Sequence, residues 1–583
     1  MRRRRLFLAV ASLLAALAYW SPALWNWTRT GYGDWQQFHH QWEAARVAVL
    51  RYGEFPLWNP WHCGGVFLFG DPQAQVYSPL FWLLLPLGTT VGSKLFLILH
   101  SAAGFAGMYV LARRQLRVSV LAAAMASLVW AGSGFFAWHG SGGHSAFLPF
   151  YFAPWLLLAW RRAVVQWRWS AAVAASMALV LLEGGVYPFP YFCLLLLFDG
   201  LVQMTDPGRR WGVVRAGAVT LPLMLALGSF RLIPILHTLA RYPRPTAGDD
   251  KLTFAEFLDL FTLRDYEYHV PGHEYVWAEY GAFIGWTALA LGVVGLVLAI
   301  RRHPSLVLGA LLFGGLTLGH VTDWHPWALL HELPVYGSLR VPSRFAVLFL
   351  FYLALGAALA TDALARRLAH FRGRCPVAWP RAIPAVLLVL VAGDIAWGNG
   401  RVIARWNRDP LPPIDRQADY RLLPFTAYRD YASFPARGVS NRGCYTGMTA
   451  YHAARDLVVG PRPQVRVDGG RLLAYRRTAN TMTAEVQLER PGTLRFNQTW
   501  AVGWRSNLGT VEASPGGSIV VRSVPAGRHT VVLRYVPDDL LAASIGGVLG
   551  LILTLAVAFF PRRRRRRRRS VASPGPSPHA PAP

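Results

Sequence analysis

A polytopic, all-α membrane protein with a small β-sandwich outside the bilayer is the fold class this sequence predicts, on three observations. The 583-residue chain is 54% hydrophobic and only 15% charged, with a mean hydropathy of +0.29, too apolar for one soluble core. Several apolar runs reach the ~20 residues that cross a bilayer. Basic pairs (Arg113-Arg114, Arg161-Arg162, Arg209-Arg210, Arg301-Arg302 and Arg366-Arg367) stand beside the ends of those runs, as the positive-inside rule expects of cytoplasmic loops. The formal charge of +29 is therefore a topological signal. Twelve of the positives are Arg2 to Arg5 and Arg562 to Arg569, each block abutting an apolar run, and nucleic-acid binding is excluded on that ground.

The first run, near 6–24, has a charged flank like a signal peptide but no small-residue cleavage site, so it reads as a retained helix. Further spans follow near 93–112, 119–137, 145–160, 169–183, 186–203, 213–238, 280–300, 304–320, 343–362, 382–398 and 539–560. This path of twelve places every basic cluster and both termini in the cytoplasm. The pattern suits a multi-pass protein of a bacterial plasma membrane. The membrane core is then 1–398, with outer loops at 25–92, 239–279 and 321–342.

The segment 399–538 differs in kind. From Val465 it alternates apolar and polar residues over short runs, such as Ala484 to Leu488, Ser518 to Val521 and His529 to Leu533, with Pro-Gly, Pro-Gly-Gly and Pro-Ala-Gly steps read as turns. That is an antiparallel β-sandwich, held outside by its place between the last two spans. The tail, 561–583, is arginine followed by a Ser/Pro/Ala stretch, too polar to fold. Of four cysteines, Cys193 lies in a span and Cys375 on the cytoplasmic side. Cys63 and Cys444 share the outer compartment, where a disulfide between them is one option.

Between two apolar runs lies a polar, Pro/Gly-punctuated segment from Gly53 to Pro79, preceded by Asp34 in Gly33-Asp34-Trp35. The elements Pro56-Leu57-Trp58-Asn59-Pro60, Gly64-Gly65, Asp71-Pro72-Gln73, Tyr77-Ser78-Pro79 and Gly143-His144 are followed by Leu333-Pro334, Leu339 to Arg344, Asn497-Gln498, Gly503-Trp504, Pro525 to His529 and Tyr535-Val536-Pro537. In this order the chain resembles the YfhO-like membrane proteins of the GT-C glycosyltransferase superfamily. The resemblance implies a polytopic enzyme that takes sugar from a polyprenyl-phosphate carrier with inversion, using the first-loop acid as base. One departure is Asp71, where that family commonly has Asn.

Such a transfer needs a base for the acceptor hydroxyl and positive charge for the departing phosphate. Asp34 is the candidate base; its alternative role is a cap for the amphipathic segment Trp35 to Leu50. Glu43 and Glu54 are rival acids that also suit solvated surface positions. Arg340 and Arg344, four apart around Pro342 at an outer helix start, are candidate phosphate ligands, or else snorkelling anchors. Arg231, inside the 213–238 span, is either a further donor ligand or a partner of Glu183. His144 is a candidate hydrogen-bond donor to a diphosphate or sugar, or a helix-end residue. Glu54, Trp58, Asn59, Asp71, Gln73 and Tyr77 make up the candidate substrate loop. Trp58, Trp61 and Phe67 suit stacking on a sugar or the aromatic belt of a membrane interface.

No metal centre is assigned. His39 and His40 near Asp34, and His269, His273 and Glu274, lack a helical ligand pair with a third donor. No cofactor is expected, with a divalent metal as the alternative. The expected partners are a polyprenyl-phosphate-linked sugar, a glycan, teichoic-acid-like polymer or glycolipid acceptor, and membrane lipids. A lipid or sugar transporter and a non-enzymatic envelope scaffold are the competing readings; the polar elements crowd the outer interface rather than the midplane, which weighs against a carrier.

Overall fold

The computed structural model describes residues 2–560 apart from 26, 28, 32, 244–245, 247, 265–269, 271, 371–378, 407–408, 411–419, 425–427, 445–449 and 461–463. His269, Cys375 and the arginine tail therefore lie outside the described residues. Among those described, seven helices are long and apolar enough to cross a membrane: Arg3–Leu24, Thr89–Leu116, Val120–Gly142, Arg210–Arg241, Pro342–Ala369, Ala382–Arg405 and Leu540–Phe559. Trp167–Leu182, Pro188–Met204, Trp286–Ala299 and Pro304–Leu318 are apolar but shorter. Ser145–Phe152 is a 3-10 run that passes into the helix Ala153–Val165. Each expected span is thus helical, but a 14-residue helix such as Trp286–Ala299 reaches only ~21 Å at 1.5 Å per residue, short of a ~30 Å hydrocarbon layer. Length alone therefore leaves the number of crossings open.

The bundle is organised around Ala346–His370, whose Val347, Leu348, Leu350, Phe351, Leu353 and Ala354 are fully buried. Its neighbours are Trp286–Ala299, Val120–Ala131 and Pro304–Leu318. A Cβ on Gly295 would lie 1.7 Å from the Gly356 carbonyl oxygen, so small residues set this close helix contact. Leu540–Phe559, by contrast, packs one glycine-bearing face on Arg210–Arg241. It leaves Leu541, Ile545, Val548 and Ile552 exposed, the pattern of a peripheral helix bathed in lipid.

After the first helix the chain enters Asp34–Tyr52, which ends at Gly53 in the left-handed region (φ 65). Expected to be amphipathic, this helix is buried on all sides from Trp35 to Ala45. The following segment has little regular structure beyond a two-residue pairing of Trp58–Asn59 with Val66–Phe67.

The C-terminal β-rich unit has six strands: β1 (Val465–Arg477), β2 (Thr481–Thr499), β3 (Trp504–Ser506), β4 (Thr510–Ala513), β5 (Ser518–Val524) and β6 (Gly527–Tyr535). All pairings are antiparallel, in the order β4-β5-β2-β6-β3, with β1 along the other edge of β2. It is one continuous six-stranded sheet with β2 at its centre rather than two separate sheets. The reason is local: Pro491-Gly492, expected to be a turn, lies inside β2, close to the register shift between Asp468 and Gly470 of β1. Met482, Ala484, Val486 and Leu488 of β2 are buried while Thr483, Glu485 and Gln487 point outward, as a period of two requires. The other two expected turns, at Pro515 to Gly517 and Pro525 to Gly527, do connect strands.

This sheet is stitched to the first loop. Cys63 and Cys444 form a disulfide across 381 residues of sequence. The Asn480 side chain accepts from the Trp58 amide (3.0 Å) and donates to the Phe55 carbonyl (2.7 Å). Thr499 Oγ1 donates to the Cys63 carbonyl at 2.9 Å, and Gln498 donates to that of Gly64.

Candidate functional site

The site is built by two glycine turns pressed together. Gly33 (φ 74) delivers Asp34 as the first residue of its helix, while Gly142-Gly143 ends Gly134–Gly142 and delivers His144. Gly143 has φ 93, and a Cβ there would stand 2.1 Å from the Trp35 amide nitrogen; only glycine permits the approach. The Trp35 indole donates to the Gly140 carbonyl at 2.8 Å and locks the two turns. As a result His144 Nε2 lies 3.3 Å from Asp34 Oδ2 and 3.8 Å from Glu279 Oε1. On its other side His144 Nδ1 is 2.7 Å from His139 Nδ1. The Asp34 carboxylate stays a quarter exposed (26%), and Gly33 rather than Asp34 occupies the cap position.

Glu279 sits in a 3-10 turn, Trp277–Glu279, between the helices Phe254–Thr262 and Trp286–Ala299. Arg344 grips its carboxylate with two parallel bonds, Nε to Oε2 at 2.9 Å and Nη2 to Oε1 at 2.7 Å. Arg344 is 3% exposed and lies over the rings of Tyr187 and Phe147, 4.3 and 5.0 Å from their centroids. A guanidinium this deeply buried requires a counter-charge, so the phosphate role expected of Arg344 is corrected: its fork is occupied by Glu279. Burial alone would raise the Glu279 carboxyl, but the charge of Arg344, then those of His144 and His139, hold it well below the usual carboxylate range.

Arg340 does not join that cluster. Four residues earlier and ahead of the 3-10 turn Pro342–Phe345, it lies over Tyr275 at 5.7 Å. Its buried Nε has no hydrogen-bond partner among the described residues.

Arg231, 1% exposed, donates to the carbonyls of Phe69 (2.5 Å) and Asp71 (2.6 Å) and lies 4.6 Å over Tyr77. It clamps the loop from below, which corrects both roles considered for it. Glu183 instead pairs with His100 at 2.8 Å and accepts from Ser78. Glu54 is also structural, accepting from the Asn480 amide (2.8 Å) and the Thr478 hydroxyl (2.7 Å). Trp58 is 1% exposed and packs on Tyr535 and Trp504, 4.7 and 5.3 Å between centroids, so it is not free to stack on a sugar. Tyr77 donates to the Pro56 carbonyl at 2.7 Å, and Asn59 Oδ1 accepts from the Trp61 amide. The segment expected as a substrate cradle is therefore a packed joint between membrane bundle and sheet, because its aromatics and amides pair with each other and with the sheet.

Asp71 is the hub of a small buried polar cavity lined by Gln37, His40, Gln41, Asn59 and His62. It accepts from Gln41 (2.7 Å) and from the Gln73 amide (2.9 Å). Burial pushes its carboxyl up to about 6 against the opposing pull of the Gln73 amide, the Arg231 charge and the Gln41 bond. His39 and His40 turn away from Asp34, to Ser93 Oγ (3.0 Å) and the Tyr431 carbonyl (2.7 Å). His273 bridges Asp250 and Glu256.

Sequence reasoning missed His139 and Glu279. The available signals were a histidine five residues before His144 and an acid at the outer mouth of an apolar run. With His144 they form a group whose ligand atoms all lie within 4.8 Å of one another. Two imidazoles and a carboxylate suit a borderline divalent cation.

No protein-family model and no curated protein matches the chain. Solved structures to which the chain is similar include the following three. The arabinofuranosyltransferase AftD from Mycobacteria is 19% identical, matching 76% of this chain and 32% of its own, with a TM-score of 0.47. The oligosaccharyltransferase of Archaeoglobus fulgidus in its apo form is 12% identical over 76% of this chain and 65% of its own, with a TM-score of 0.48. ArnT from Cupriavidus metallidurans bound to undecaprenyl phosphate is 14% identical over 74% of this chain and 85% of its own, with a TM-score of 0.39. The chain thus spans about a third of the mycobacterial protein's length.

Proposed function

We propose that this protein is a membrane glycosyltransferase of the GT-C type, YfhO-like, that moves a sugar from a polyprenyl-phosphate carrier to an envelope glycan, teichoic-acid-like polymer or glycolipid on the outer face of a bacterial plasma membrane. The observation that carries the reading is a partly exposed carboxylate, Asp34, held against His144 at the mouth of a helical bundle. The disulfide between Cys63 and Cys444 supports an oxidising, outer compartment for this face. In the reaction the acceptor oxygen attacks the anomeric carbon while its bond to the carrier phosphate breaks. The hydroxyl proton passes to Asp34 and the electron pair leaves with the phosphate, inverting the sugar centre. His144 orients the Asp34 carboxylate, and Arg340 supplies charge to the departing phosphate. Where a divalent cation binds, His139, His144 and Glu279 would hold it, and it would supply further positive charge there.

The test is transfer of labelled sugar from polyprenyl-phosphate donors by purified protein. Asp34→Asn is expected to lower kcat by about 100-fold or more with insertion and unfolding temperature unchanged. EDTA treatment that lowers transfer, with Mn²⁺ restoring it, would assign a divalent cation to His139, His144 and Glu279; unchanged transfer would leave the reaction to Asp34 and its neighbours alone. Full activity of Asp34→Asn moves the base elsewhere; no transfer by the parent protein with any donor favours the transporter or scaffold reading.

A further inference from the structure

The outward face of the β-rich unit carries arginines in excess of carboxylates, and strand register places them on one surface. On β2 the outward residues are Thr481, Thr483, Glu485 and Gln487. Opposite them on β6 stand Arg534, Val532, Thr530 and Arg528. On β1, Arg476 faces Thr483 and Arg471 faces Gln487; on β3, Arg505 faces Arg534 directly. All five arginines are exposed.

Two carboxylates answer them: Glu485 lies 3.8 Å from Arg528, and Asp538 lies 3.0 Å from Arg505. Arg471, Arg476 and Arg534 have no carboxylate partner within 4 Å among the described residues. Like charges directly opposite on neighbouring strands destabilise a sheet, so the Arg505 and Arg534 pair gains nothing for the fold by itself. An anion laid across the strands would relieve it.

We propose that this face binds an anionic polysaccharide, a chain bearing carboxylate or phosphate groups at intervals. Arg534 lies six strand positions beyond Arg528, a run of about 20 Å, and two strand spacings separate Arg471 from Arg528, about 10 Å. Several repeating anionic groups fit a frame of that size; one small ion does not. Between the arginines lie hydroxyls and an amide, from Thr483, Thr530 and Gln487, which are the partners that sugar hydroxyls use. Among the described residues, strands β1, β2, β3 and β6 carry no exposed aromatic side chain, whereas a surface seated in a bilayer interface displays Trp and Tyr. Charge and hydrogen-bonding complementarity therefore favour a glycan over a lipid surface. The proposal stands whether or not the protein transfers sugar.

The test uses the full chain in phosphatidylcholine nanodiscs with polygalacturonate as the anionic glycan, dextran as the neutral control and phosphatidylglycerol vesicles as the membrane control. The parent protein is expected to bind polygalacturonate in a salt-sensitive manner and not to bind dextran. Changing Arg471, Arg476, Arg528 and Arg534 together to Gln is expected to weaken binding about tenfold or more without lowering the unfolding temperature. The same four changed to Lys is expected to retain most of it. Removing an equal charge elsewhere, by Arg442→Gln, Arg455→Gln, Arg490→Gln and Arg522→Gln, all exposed, is expected to leave binding near the parent level. The proposal is overturned if the parent fails to bind polygalacturonate, if both four-fold Gln sets weaken it equally, or if the first set affects vesicle binding alone.

Discussion

Arg344 and Glu279 show how a single buried pair can set the electrostatics of a site. With Arg344 4% and Glu279 11% exposed at the side chain, Glu279→Gln would keep the shape and one acceptor but leave a buried guanidinium without its counter-charge. Removing one partner of such a pair costs about 3–5 kcal/mol, so the variant is expected to unfold at a clearly lower temperature; an unchanged melting curve would remove Glu279 as the counter-ion. Asp71 gives a pH signature of opposite character. Its folded-state value is raised from the ordinary 3.8 to about 6, so the neutral acid is the form the fold prefers. That contribution is fully present below pH 3.8 and is lost as pH rises through about 6. Asp71→Asn is expected to abolish this fall, worth up to roughly 3 kcal/mol at 1.36 kcal/mol per unit, measured as the pH dependence of unfolding. Asp34 was singled out by the resemblance as the first-loop acid and His144 by its place after Gly142-Gly143; that the two meet was not legible. Nor was Glu279, because its role depends on Arg344, 65 residues away.

At the scale of elements, the turn at Gly143 matters more than its chemistry suggests. Alanine there meets the Trp35 amide and demands an unfavourable backbone angle, so Gly143→Ala is expected to push His144 away from Asp34. Transfer should fall about tenfold or more, the scale on which a small misplacement acts, while the membrane helices remain assembled. Normal kinetics in this variant would show that contact between the two turns is not needed. The long segment from Gly53 to Pro79 teaches the complementary lesson. Its Pro, Gly and aromatic content correctly marked a shaped region, but composition does not say what a shape is for. Trp58, Glu54 and Asn59 are consumed by contacts with Asn480, Tyr535 and Trp61, and those partners are distant in sequence or hidden in backbone geometry. The strands were read from their alternation of residues, but the expected sandwich is a single six-stranded sheet, and Pro491-Gly492, expected to be a turn, lies inside a strand.

For the whole molecule, the apolar runs and arginine clusters announced a helical membrane protein, and every run expected to span is helical. The number of crossings was less legible, since several runs are too short by length alone. Single cysteines introduced at Glu54, Asp468 and Arg301 would decide the orientation: labelling from outside is expected at the first two and not the third. Reagent access to Arg301 from outside would break the twelve-span path. The link between Cys63 and Cys444 also imposes an order in time. A ribosome finishes the first loop long before it reaches the residues that hold that loop in shape, so the first-loop thiol must wait, reduced or on a temporary partner, until nearly four hundred further residues have been made. A chain cut short before Cys444 would therefore carry the acid and the histidine in full, yet have nothing to close the joint beside them.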